Sequence, residues 1–199
     1  MMKYMKYVIT HFSSKQAFNA NELKIFLKNR GVSNSYYKIV IQNLLKSGRI
    51  FKITRGSYTF HEEAQYVGYA FKPFYYGLED ALSLRGIWEQ ETNPVVITPR
   101  KVRNGIRQFE GRNYLIRRIE RAMFFGFTYI RYGDFYIPVS DIEKIFIDLL
   151  YFNVRVPADV FMALKRAIDD AKLKDYTDRC PVYLKNRLAH FIDTEFNVV

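Results

Sequence analysis

The sequence predicts an α+β protein of two domains, residues 1–64 and residues 65–199. Three observations point there. Over residues 1–60 the apolar residues recur at helical spacing in three segments and then alternate as strands do. Beyond residue 65, short strand-like runs are mixed with longer helical stretches. Charge divides in the same way: residues 1–60 hold eleven Lys/Arg against a single acid, Glu22, whereas residues 61–199 hold twenty bases against nineteen acids. Nearly all of the formal +11 therefore lies in less than a third of the chain. That asymmetry is the pattern of a polyanion-binding module joined to a nearly neutral domain.

Composition sets the outer limits. With 49% hydrophobic residues, 26% charged residues, ten glycines and one cysteine in 199 residues, the chain is neither collagenous, low-complexity nor a disulfide scaffold. Cys180 alone can form neither an intrachain disulfide nor a thiolate cluster, so a reducing cytoplasm is the expected compartment. No apolar run approaches the ~20 residues that span a bilayer. Lys3, Lys6 and His11 interrupt any signal-like segment at the start. The expected protein is soluble, with no membrane partner.

Within the first domain, Tyr4, Tyr7, Val8 and His11 give residues 3–12 a helical period. Ser13-Ser14 breaks it. Asn19, with Glu22 three residues on, has capping-box spacing and opens a second helix whose apolar set is Leu23, Phe26 and Leu27. Gly31 closes it, because a left-handed C-terminal residue is least strained without a Cβ. Ser33 is the expected N-cap of a third helix over Asn34–Ser47. Tyr37, Ile41 and Leu44, with Val40 and Leu45 beside them, form its inward stripe, and Ser35, Lys38, Gln42 and Lys46 form the opposite one. After Gly48, Arg49–Thr54 and Ser57–Phe60 read as two strands around an Arg55-Gly56 turn.

Helix, helix, short turn, helix and two-stranded hairpin is the order of a winged helix-turn-helix. A helix ~10–12 Å across fits a major groove ~12 Å wide. The expected DNA-binding residues are Ser33, Asn34, Ser35, Tyr36, Lys38, Gln42 and Lys46 on the third helix and its approach, and Lys52, Arg55 and Ser57 on the wing. No RNP-type aromatic strand appears, so double-stranded DNA is preferred to single-stranded RNA.

Residues 61–75 read as a connector whose aromatics, Tyr66 to Phe71, pack one domain on the other. Residues 76–86 form a helix with Leu78, Ala81 and Leu82 inward, and Val95–Thr98 a buried strand between prolines. Residues 100–121 carry eight bases against two acids. Arg100, Lys101, Arg103, Arg107, Arg117 and Arg118 make this a candidate second basic patch. It could extend a DNA footprint, bind RNA or be a solvated sheet edge. Phe127–Ile130 and Phe135–Val139 follow as strands around Arg131–Asp134.

Ser140 and Glu143 have capping-box spacing at the start of the strongest helical stretch, with Ile142, Ile145, Phe146 and Leu149 inward and Lys144 paired to Asp148 at i,i+4. Pro157 opens a helix over 158–173, with Val160, Phe161, Leu164 and Ile168 on one side. A last helix, about 181–193, buries Leu184, Leu188 and Phe191.

Nothing in the sequence calls for a catalytic residue, a metal or a cofactor. Phosphate-cradling glycine loops and the G-x-S-x-G elbow are absent. His11, His61 and His190 are far apart in sequence and near no Cys pair. The single E-x-K, Glu22-Leu23-Lys24, falls on a helix of the basic module. Two alternatives from other classes are an RNA-binding module built on residues 100–121 and a metal-dependent nuclease built on Asp141, Glu143 and Asp148.

Several motifs together resemble the AbiEi antitoxins, regulators in type IV toxin–antitoxin and viral-defence systems. They are the wing Gly48-x-Ile50-x-Lys52-Ile53-x-Arg55-Gly56-x-Tyr58-x-Phe60 and the run Tyr76-Gly77-x-x-x-Ala81-Leu82 ending in Gly86-Ile87. Val139-Ser140-x-x-Glu143-Lys144-x-x-x-Asp148-Leu149-Leu150 and Lys185-x-Arg187-Leu188 continue the likeness, which covers roughly residues 15–193. Asp80 stands where the family commonly has a small hydroxyl residue. The resemblance implies a winged-helix repressor of its own operon. It also implies an α/β antitoxin domain that counters a nucleotidyltransferase-like toxin without a stable complex.

Overall fold

In a computed structural model, residues 2–193 are described, and they form a mixed α+β structure. The chain divides into two compact units. The first comprises Met1–Lys72 with Ile106–Tyr114, and the second Pro73–Gly105 with Leu115–Val199. The boundary thus falls eight residues beyond the one drawn at 64, and a later hairpin joins the first unit.

The first unit runs α1 (Met2–Phe12), β1 (Phe18–Asn19), α2 (Ala20–Lys28), α3 (Tyr36–Lys46), β2 (Phe51–Thr54) and β3 (Ser57–Thr59). Its core gathers Val8, Phe12, Phe18, Leu23, Leu27, Val40, Ile41, Leu44, Ile50 and Tyr58. On α1 the inward residues are Val8 and Phe12, so the stripe read through Tyr7 and His11 is rotated. Both are exposed, and His11 stacks instead on Phe26 with ring centroids 4.5 Å apart. The capping box of α2 forms as expected: Asn19 Oδ1 accepts from the Asn21 and Glu22 N–H groups, and the Asn19 N–H donates back to Glu22 Oε2. Strand order is β1-β3-β2.

Residues expected as a connector are folded. Ala64–Phe71 forms a 3₁₀ helix of the first unit, burying Ala64, Gln65, Tyr66, Val67, Gly68 and Phe71. His61 stacks on Tyr66 with centroids 4.0 Å apart, which fixes the entry to this turn.

The second unit holds β4 (Tyr75–Tyr76), α4 (Leu78–Leu84) and β5 (Val95–Thr98). A hairpin of β6 (Gly105–Phe109) and β7 (Arg112–Arg118) follows, of which Gly105 and Leu115–Arg118 belong to this unit. Next come β8 (Phe127–Tyr132), β9 (Phe135–Ser140), α5 (Ile142–Tyr151), α6 (Ala158–Ala167), α7 (Asp170–Asp178) and α8 (Val182–Phe191). Strand order is β7-β5-β4-β9-β8, with β5 parallel to β7, β4 parallel to β9, and the β4–β5 and β8–β9 pairs antiparallel. Helix α5 packs against α4, α6, α7 and α8. The single helix expected over 158–173 is broken: Ile168 adopts extended backbone and Asp169 caps α7 by accepting from the Lys172 N–H.

Candidate nucleic-acid interface

Helix α3 has two faces of opposite character. Val40, Ile41 and Leu44 are buried, while Lys38, Gln42 and Lys46, four residues apart, are exposed along one line. Two details differ from the sequence reading. Leu45 is 36% exposed. The helix starts at Tyr36, so Ser33 lies outside it, its carbonyl accepting the Tyr36 N–H in a preceding turn. Ser35 holds the N-cap position without a side-chain cap bond, and Ser33, Asn34 and Ser35 are all exposed. Tyr36 is half-buried, edge-on to Tyr4 at 6.4 Å.

The β2–β3 hairpin pairs Phe51 with Thr59, Lys52 with Tyr58 and Thr54 with Ser57, with a register shift between Lys52 and Thr54. Gly56 takes φ +77°, which the tight turn requires, and its carbonyl accepts the Ala20 N–H at 2.9 Å. The hairpin tip is thereby tied to the start of α2. Lys52 and Arg55 are exposed and Ser57 is half-buried. Among the described residues, Lys38, Lys46, Lys52 and Arg55 make no ion pair to an acid.

The sequence reading missed what supports this hairpin. Tyr114 donates its hydroxyl to Ile53 O at 2.7 Å, and Arg107 donates from Nη1 to Thr54 Oγ1 at 3.2 Å. The Arg107 guanidinium lies 5.2 Å from the centre of the Phe71 ring, and Phe51 meets Phe109 edge-on at 6.4 Å. Burial raises the Tyr114 pKa, outweighing the opposite effect of Arg107. A signal for this element was present: Glu110-Gly111, both at positive φ, lies between two alternating runs as a two-residue hairpin turn does. With Ile106–Tyr114 included, the first unit holds fourteen Lys/Arg against four Asp/Glu, and the second seventeen against sixteen.

The residues of the second basic patch are divided between the two units. Arg107 belongs to the first unit; Arg100, Lys101 and Arg103 are exposed in the segment after β5. Arg117 and Arg118, adjacent on β7, point to opposite faces of the sheet because side chains alternate along a strand. Arg117 is half-buried with its guanidinium 5.9 Å from the Phe152 ring centre, and Arg118 is exposed.

The three acids of the nuclease alternative are engaged elsewhere. Ser140 ends β9 and donates to Tyr76 O, so Asp141, not Ser140, caps α5, accepting from the Lys144 N–H. Tyr176 donates its hydroxyl to Asp141 Oδ2 at 2.8 Å, and Gly126 makes room for this contact: a Cβ there would meet Tyr176 at 2.8 Å and Lys144 at 2.9 Å. Glu143 accepts from the Asp169 N–H and pairs with Lys172 at 2.8 Å. Burial pushes the Glu143 pKa up, but Lys172 and the Asp169 amide outweigh it and hold it lowered. Asp148 pairs with Lys144 and accepts the Tyr75 hydroxyl at 2.8 Å, all three side chains being fully buried. Burial raises the Asp148 pKa against the lowering by Lys144 and Tyr75. Among the described residues no group of three or more His, Cys, Asp or Glu could hold a metal ion, and no helix is long and apolar enough to cross a membrane.

No family model matches the chain, and no curated protein matches it in sequence.

Proposed function

We propose that the first unit is a winged helix-turn-helix, with α2 and α3 as the paired helices and β2–β3 as the wing, and that it binds double-stranded DNA at the operator of its own promoter. The observation that carries this reading is the exposed Lys38-Gln42-Lys46 line on α3, backed by a buried face and set in a unit of charge +10. Gln42 offers a bidentate amide to a base edge, while Lys38 and Lys46 flank it with phosphate-seeking charge. Lys52 and Arg55 extend the same charge onto the wing.

The chain reads best as a transcriptional regulator of the AbiEi antitoxin kind, its second unit countering a nucleotidyltransferase-like toxin. The order and spacing of the wing, the Tyr76–Ile87 run and the Val139–Leu150 run support this reading. Asp80, the departure from the family pattern, is a buried carboxyl accepting from the Val95 N–H at 3.1 Å.

Gel shifts of the full chain on its own promoter across a salt series test the DNA reading. Affinity is expected to fall by ~0.9 log units per log unit of salt for each phosphate contacted. Binding that ignores salt, or no binding, overturns it. A neighbouring nucleotidyltransferase gene whose toxicity the full chain suppresses is the expected finding for the antitoxin assignment.

A further inference from the structure

We infer that Ile39 is a specificity residue of the α3 surface, and that it meets the C5 methyl of a thymine in the major groove beside an adenine read by Gln42. The inference rests on the reading of α3 as the helix that enters the groove. Ile39, Gln42 and Lys46 follow the N-cap Ser35 at intervals of four, three and four, which places all four on one side of the helix. That side lies opposite the buried Val40, Ile41 and Leu44. Ser35, Gln42 and Lys46 are exposed, and Ile39 is 44% exposed among them. A lone surface isoleucine means little by itself. This one stands in the middle of the face that would meet DNA, in a unit of charge +10, and takes no part in the core of that unit. Leu45, the other exposed aliphatic residue of α3, follows Ile41 by one turn and borders the buried side.

Isoleucine has neither donor nor acceptor, so it can recognise a base edge only by apolar contact. In the major groove the thymine methyl is the one apolar group that a base pair presents. Over a G·C pair the same side chain would cover donors and acceptors without replacing their bonds to water, which costs free energy. Discrimination thus has an attractive and a repulsive part. Branching at Cβ leaves Ile39 one dominant χ1 rotamer in a helix, so contact removes little side-chain freedom. Spacing then sets the neighbouring contact. Gln42 lies three residues on, a rise of about 4.5 Å, and successive base pairs are ~3.4 Å apart, so the two side chains fall one or two pairs from each other. A glutamine amide pairs bidentately with adenine N6 and N7. The operator class is therefore one with an adenine under Gln42 and a thymine one or two pairs away.

Gel shifts of the full chain test this on its promoter duplex, on duplexes in which each thymine in turn is replaced by deoxyuridine, and on a scrambled duplex. Uracil lacks only the C5 methyl and keeps the hydrogen-bonding groups of thymine. At one or two positions it is expected to weaken binding about fourfold, the effect of exposing one buried methyl group. Ile39→Ala is expected to bind the thymine and uracil duplexes alike, with its affinity for scrambled duplex and its circular dichroism spectrum unchanged. Ile39→Val, which keeps most of the apolar contact, is expected to keep a preference for thymine. Promoter binding that no uracil substitution weakens overturns the inference and leaves the DNA reading standing. So does a thymine preference that survives undiminished in Ile39→Ala. A full chain that does not prefer its promoter to the scrambled duplex fails the operator reading itself, and the role of Ile39 falls with it.

Discussion

Helices α3 and α5 are of similar length, and each carries polar residues four apart, yet the two treat charge in opposite ways. On α3 the line Lys38-Gln42-Lys46 faces water and every charge is positive. On α5 eight consecutive residues, Glu143–Leu150, are buried, and the three charged ones among them are matched by opposite charges: Lys144 with Asp148 inside the helix, Glu143 with Lys172 of α7. Exposed lysines cost the fold little and contribute little to it, so they can serve a partner. A charge removed from water has its penalty offset only by its own counter-charge and hydrogen bonds, so it serves architecture. The difference comes from what covers each helix, since α5 has α4, α6, α7 and α8 around it.

The comparison is most easily broken at Lys144. Lys144→Met leaves Asp148 buried with only the Tyr75 hydroxyl, and should destabilise the second unit by about 3–5 kcal/mol. Trp88, the chain's single tryptophan, lies in that unit and reports its urea unfolding. The double variant Lys144→Met/Asp148→Leu should recover most of the loss, whereas Lys38→Met on α3 should cost under about 0.5 kcal/mol. A double variant as unstable as the single one would show that the unpaired charge is not the cause.

A smaller effect is expected at Asp80, whose pKa burial raises to about 8, the Val95 amide and Thr92 hydroxyl lowering it only in part. Folded Asp80 keeps its proton where the unfolded carboxyl, with an ordinary value of 3.8, has lost it. Stability of the second unit from this group is therefore complete at pH below 4, declines as pH rises to about 8, and then levels. Asp80→Asn retains an acceptor for the Val95 N–H and should flatten the decline, leaving the variant more stable than the native chain at pH 9. Parallel urea midpoints of the two chains between pH 5 and pH 9 would refute the buried-acid account.

On the exposed side, Gln42→Ala should lose ~1–3 kcal/mol of discrimination between operator and scrambled duplex. Arg55→Ala should weaken both duplexes alike and lower the salt slope by about one. Competition gel shifts separate the two outcomes, because a base edge differs between sequences and a phosphate does not. The reverse pattern would mean that helix and wing have exchanged roles. The smallest effect belongs to Asn19→Ala, which removes the acceptor for two amides at the start of α2. About 1 kcal/mol of first-unit stability should be lost, read as a shift in thermal unfolding by circular dichroism. No shift would mean that the tie from Ala20 N–H to Gly56 O already holds this end.

The local features of α2, α3 and the β2–β3 hairpin were legible because each is settled by neighbours in sequence. Asn19 reaches an amide three residues away, Gly56 turns a hairpin two strands long, and α3 sorts its residues by a 3.6-residue period that the buried Val40, Ile41 and Leu44 obey. Where two candidates stood side by side, local rules were degenerate. Ser140 and Asp141 can each cap α5, and the Ser140 hydroxyl is taken instead by the Tyr76 carbonyl, sixty-four residues away in sequence. The period Val160, Leu164, Ile168 runs on through a break that only Asp169 announces.

Sequence alone thus determined the short-range facts: the three N-terminal helices, the β2–β3 hairpin, which side of α3 meets water, and the location of the excess charge. Tertiary structure alone decided that Ile106–Tyr114 joins the first unit and supports its hairpin. It also decided that Lys144 and Asp148, an ordinary surface pair by spacing, are fully buried against Tyr75. The physical reason is range. Caps, turns and helical faces depend on groups within about four residues. Desolvation depends on which distant segments arrive, and an i,i+4 pair has the same spacing whether or not they do.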